Sequence, residues 1–224
     1  MGKRHSLQFQ NEVLKETKYN RKAFEAYLSL YPVRSIRLNA GILVFFYLNL
    51  FLLIPVFSVP YEPLYAWILL PPLVLMNLWA LALMIAPGRL QMNYLLFRGV
   101  FGIICSVGFL IVIQKFAYTG LKLMTPWYAV GSFAVYGFIL YLYARLHIRK
   151  LVAPRKNNQD NPDLSMKVLT VMTGVGYLLA NLSLMFVSEQ TVTIVLMCVY
   201  AMLVLVMLHF IMELHRYYWM KRVA

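Results

Sequence analysis

Six stretches of the chain are long and almost continuously apolar, and the polar residues gather between them. The stretches are Leu38–Val59, Leu64–Ala86, Gly99–Phe116, Trp127–Ile148, Val168–Ser188 and Thr191–Met212. A helix needs about 20 mostly apolar residues to cross a bilayer, and a membrane strand needs about half as many. Periodicity cannot separate helix from strand where every face is apolar, so length decides, and it decides for helices. The pattern predicts an all-α polytopic membrane protein with six transmembrane helices.

Ahead of the first stretch, residues 1–37 form a basic amphipathic segment. Phe24, Tyr27, Leu28 and Tyr31 fall at i, i+3, i+4 and i+7, and Lys15, Lys18, Arg21 and Lys22 supply a polar side. This predicts an N-terminal interfacial helix from about Asn11 to Tyr31, lying on the anionic inner leaflet and ended by Pro32. Transmembrane helices one to four then occupy residues 38–148. A polar loop follows at residues 149–167, helices five and six occupy 168–212, and a short tail runs over 213–224. Pro60–Pro63 and Glu189–Gln190 read as tight turns on the opposite side. The loop divides the spans three and three, which would give halves of inverted topology. The prolines of the first half have no counterparts in the second, and no repeat follows.

Composition changes the picture in one respect: it names the solvent. Of the 224 residues, 62% are hydrophobic and 13% charged, about half the charged share of an average soluble domain. Water could not accommodate that much apolar surface. The first apolar run begins near Leu38, too far along for a secretory signal, so the first helix is expected to act as its own insertion signal.

Charge sets the orientation. With the N-terminus in the cytoplasm, the cytoplasmic segments hold 19 of the 21 Lys and Arg residues, and only Lys115 and Lys122 fall outside. That asymmetry predicts a multi-pass protein of the cell membrane with both termini cytoplasmic. Tyr61, Trp67, Tyr118 and Trp127 would form an outer aromatic belt, and Tyr31, Tyr94, Tyr217 and Trp219 an inner one. The net charge of +13 does not predict nucleic-acid binding, because it is divided among four separate segments rather than gathered on one surface.

The sequence excludes more chemistry than it offers. No Asp or Glu lies mid-span, no His-Glu-x-x-His pattern occurs, and no phosphate-binding Gly-x-x-x-x-Gly-Lys loop occurs. No catalytic residue, metal ligand or cofactor site is therefore assigned. Cys105 and Cys198 fall inside apolar runs and read as packing residues. His209 and Glu213 share a helix face, but a metal would need a third ligand, with His147 as the donor. An interfacial ion pair or hydrogen bond accounts for them more simply. Asp160 and Asp163 flank Pro162 in the loop and read as solvated.

Three carboxamides stand out. Asn49, Asn77 and Asn181 lie close to the centres of their spans, where an unpartnered amide is costly. They either bridge helices or line a polar path between spans one, two and five. Thr173, Gly176, Ala180 and Ser183 form a small-residue face on the fifth span, suited to close helix packing. Pro71 and Pro72 predict a kink in the second span. Lys115, beside Gln114, is expected to snorkel to the outer interface, with anion binding as its functional alternative.

Two functions follow. One is a permease-type subunit of a transport or export complex, working with a separate partner. In span number and loop placement the layout is similar to the membrane half of small ABC exporters, although the short turn at Glu189–Gln190 departs from the longer segment expected there. The alternative is a membrane-embedded binding, regulatory or immunity-type protein acting by lateral contact with another membrane protein. Both imply a lipid bilayer around the chain and a protein partner or homo-oligomer, without cofactors and without catalysis of its own.

Overall fold

The computed structural model describes residues 27–152 and 188–223. The described residues form five long helices: α1 (Val33–Phe57), α2 (Pro63–Ile85), α3 (Gln91–Thr119), α4 (Pro126–Val152) and α5 (Glu189–Val223). Each is long and apolar enough to cross a membrane. The predicted fifth span, and with it Asn181 and the face Thr173, Gly176, Ala180 and Ser183, lies outside the described residues. So does most of the predicted interfacial helix; only Tyr27–Tyr31 of it is described.

Local chemistry explains where the helices start and stop. Pro63 and Pro126 open α2 and α4 at positions whose amide hydrogens have no helical acceptor. Ser188 caps α5 by accepting the Thr191 amide, and Glu189 sits in the first turn, favourably placed against the helix dipole. Glu189 and Gln190, expected as a turn, are thus the first residues of α5. Gly120 ends α3, and two residues on Lys122 takes a left-handed φ of 57° that turns the chain toward α4. The prolines of the second span do not interrupt it: α2 runs unbroken through Pro71 and Pro72.

The first helix is less regular. Its central section, Leu43–Leu53, is π-helical, followed by a final α-helical turn, Ile54–Phe57, that contains Pro55. Pro55 sits just past the point where π-helical pairing gives way to α-helical, and it brings no amide hydrogen to the carbonyls of the turn before it. The Tyr200 hydroxyl of α5 donates to the Phe51 carbonyl at 2.9 Å. A helix defect made by sequence is thus satisfied by a residue 149 positions away.

The core is built around α3, the most buried of the five helices. It pairs with α5 along most of its length, and glycines make the approach possible. A β-carbon at Gly102 would stand 2.9 Å from the Ile211 backbone nitrogen, and one at Gly99 2.4 Å from Leu214. Small residues carry the close packing of α3 against α5. Phe97, Phe101 and Phe109 fill the spaces left between the glycines, each fully buried. By contrast, α4 touches the other described helices sparingly, and its most apolar window contains no buried residue. Between their charged ends the described helices present an apolar exterior, with Trp67, Trp127 and Phe138 among the exposed residues. Such a surface fits hydrocarbon and not water.

Candidate functional site

Polar side chains in these apolar helices must find partners, so their pairing shows what each one does. Asn49 of α1 and Asn77 of α2 face each other in a reciprocal amide pair. Each Nδ2 donates to the other's Oδ1 at 3.0 Å, and Asn77 Nδ2 also reaches the Leu73 carbonyl at 2.8 Å. The structure brings two of the three predicted carboxamides together as a bridge between helices. Breaking one side strands the other, whereas replacing both does not. Asn49→Leu or Asn77→Leu alone is expected to lower stability by about 1–2 kcal/mol. The double variant is expected to cost clearly less than the sum, as read from thermal unfolding of all four proteins in one detergent. Additive losses would show that the pair is not coupled.

Lys115 does not snorkel. It is 1% exposed, and its ammonium donates to the carbonyls of Pro55 at 2.6 Å, Ser58 at 2.9 Å and Val56 at 3.3 Å. These are among the last carbonyls of α1, which have no intrahelical donors. Lys115 is a cap for that helix end, supplied by α3. A second cation does the same for α2, where Arg37 Nε donates to the Met84 carbonyl at 3.1 Å.

At the end of the bundle where α1 begins, an ionic centre joins α3 and α5. Glu213 lies 3.2 Å from Arg98 and 3.3 Å from Arg216, and all three side chains are at least 89% buried. Tyr31 donates at 2.7 Å to Glu213 Oε1, the same oxygen that Arg98 contacts, and Arg216 meets Oε2. The Arg98 and Arg216 guanidiniums also lie over the Tyr31 ring, 4.8 and 4.6 Å from its centroid, a favourable cation–π arrangement. Burial, followed by the Glu213 hydrogen bond, pushes the Tyr31 hydroxyl above its ordinary pKa, so it remains a donor at neutral pH. Arg216 donates as well to the Ser29 carbonyl, and Tyr27 to the Met212 carbonyl at 3.1 Å. The described end of the N-terminal segment is therefore fastened to α5.

This centre was only half visible in sequence. Glu213 had been paired with His209, but His209 is exposed and meets Phe210 edge to face. The partners of Glu213 are arginines, one of them on another helix. The signal available was arithmetic: one acidic residue among basic ones at the same end of the spans. Among the described residues no group of His, Cys, Asp and Glu is arranged to hold a metal.

Two cavities adjoin these features. A groove of about 780 Å³ opens between α3, α4 and α5. Its walls are apolar, with Ile113, Val135, Ile194 and Val204 lining it, and the small Gly131 and Ala201 opening space. The free thiol of Cys198 also lies on it. Near its edge, Gln114 donates to the Ser132 hydroxyl at 2.7 Å, a polar tie from α3 to α4. The second cavity, about 200 Å³, lies beside the ionic centre and is lined by Asn39, Ile42, Leu43, Tyr94, Arg98 and Phe210. Comparison with protein families, with characterised proteins and with solved structures finds no match.

Proposed function

We propose that this chain is a non-catalytic protein of the cell membrane that acts by lateral contact with another membrane protein, whose transmembrane helix occupies the groove between α3, α4 and α5. We take the chain to have six spans, with both termini cytoplasmic, on the strength of its apolar runs and its charge asymmetry. The observation that carries the functional reading is the state of α4. It stands against the bundle with no buried residue in its most apolar window, beside a groove with 780 Å³ of apolar space. Gly131 has nothing within 4 Å of where a β-carbon would be, so a helix backbone can approach closely there.

A photo-crosslinking residue at Val135 tests this. The expected result is a stoichiometric adduct with one membrane protein, lost when Ala201→Trp fills the groove. Adducts with lipid alone, or within the chain to residues 168–188, would overturn it.

The permease-type subunit of a transport complex is the second reading. In its favour is the turn between α2 and α3, where Gly88 and Arg89 are exposed and open to a soluble partner. An ATPase recovered with the protein in mild detergent, and lost on altering that turn, would select it.

A further inference from the structure

Beside the ionic centre, the segment before α1 meets α5 at an imidazole whose two nitrogens have fixed roles. Trp219 Nε1 donates to His215 Nε2 at 3.0 Å, and the Tyr27 hydroxyl oxygen lies 3.3 Å from His215 Nδ1. An indole nitrogen can only donate, so His215 Nε2 carries no proton. A neutral imidazole has one proton, which therefore sits on Nδ1 and is given to the Tyr27 oxygen. Tyr27 in turn donates to the Met212 carbonyl at 3.1 Å. The three bonds run in one direction, from Trp219 through His215 and Tyr27 back to the α5 backbone. The series is complete only while His215 is neutral.

A second proton would go to Nε2 and set one N–H against another across the Trp219 contact. The surroundings oppose that proton too. From α4, His147 packs near Tyr27 with ring centroids 5.8 Å apart, and Tyr143 stacks on the same imidazole. On α5 itself, the Arg216 guanidinium lies 5.9 Å from the Tyr27 ring. Glu213 is the one acidic residue at this end among the described residues, and it is already held by Arg98 of α3 and by Arg216. His215 lies past the apolar run that ends at Met212, and burial, followed by the His147 imidazole, holds it below its ordinary pKa. We infer that His215 is a proton-sensitive latch: neutral, it holds Tyr27 against α5, and protonated, it breaks from Trp219 and lets the Tyr27 contact open. The closed form takes up a proton less readily than the open one. Holding is therefore complete above the ordinary imidazole pKa of about 6.5 and is lost as pH falls below it. The closed-to-open ratio drops by at most about tenfold per pH unit. The Tyr31–Glu213 bond contains no imidazole and stays in place, so the opening is local to the residues around Tyr27.

Two measurements on the full chain in micelles test this. Nitrogen-15 NMR of labelled histidines reads the tautomer, and the mobility of a spin label at Ser29, with Cys198→Ser to remove the exposed thiol, reads the latch. His215 is expected to be protonated on Nδ1 at pH 7.5, and the label to gain mobility as pH falls from 6.5 to 5. His215→Gln is expected to abolish that response, while His147→Gln leaves it in place. Trp219→Phe removes the donor that opposes the second proton, so its label is expected to respond to pH less than the wild type does. An Nε2-protonated His215 at pH 7.5, or a response that survives His215→Gln, would overturn the proposal. If His215→Gln frees the label at every pH, Trp219→Phe decides, and an undiminished response there would equally overturn it.

Discussion

Lys115→Met is expected to destabilise the protein by on the order of 3–5 kcal/mol. Methionine matches the length of the lysine stem but offers no donor. Without the ammonium, the carbonyls of Val56 and Ser58 would lose their donor at a site where water is scarce, and that of Pro55 would keep only the Ser58 hydroxyl, 2.8 Å away. Hydrogen bonds from a charged donor contribute about 1.5–3 kcal/mol each, and a stranded buried acceptor costs about 1–3 kcal/mol. Desolvation of the ammonium in the wild type offsets part of that sum. The control is Lys122→Met, which alters an exposed lysine and is expected to change stability by less than about 0.5 kcal/mol. Equilibrium unfolding in mixed micelles measures both. Equal stability of Lys115→Met and wild type would show that the α1 terminus is satisfied some other way.

Glu213→Gln is expected to follow closely, at about 3–5 kcal/mol, because it leaves two buried guanidiniums facing each other without a counter-charge. The amide still accepts from Tyr31, so the loss reports on charge more than on the hydrogen bond. Added salt is not expected to reproduce it, since screening acts weakly on pairs as buried as these. His209→Ala, four residues earlier on an exposed face, is expected to stay within about 0.5 kcal/mol of wild type. Comparable losses from both substitutions would revive a shared role for His209 and Glu213.

The parts of the fold that depend on hydropathy could be read from the chain, and the parts that depend on register could not. Leu64–Ala86 and Pro63–Ile85 are nearly the same segment, because apolar run and helix end together at prolines and a tight turn. The third and last spans were read too short at the basic end. Hydropathy reports only the lipid-soluble part of a helix, and α3 begins at Gln91 while α5 continues to Val223. Those extensions hold Tyr94, Arg98, Glu213 and Arg216, which is why the ionic centre went unrecognised. Asn49 and Asn77 were legible as interior residues from the cost of burying an amide. Their mutual pairing was not, since it depends on how α1 and α2 are rotated against each other. Lys115 was misread for a related reason. Its acceptors exist only because α1 terminates after Phe57, beside the lysine, a coincidence in space with no trace in local sequence.

The bond from Tyr200 to the Phe51 carbonyl also has a consequence for biogenesis. Synthesis proceeds from the N-terminus, so α1 emerges long before α5 exists. Until residue 200 is made and inserted, the helix carries an open carbonyl at its proline. Ser29 and Tyr31 likewise wait for Arg216 and Glu213. Although α1 is made well before α5, it is therefore finished only once α5 is in place, and a chain cut short before α5 would leave the start of α1 unlatched.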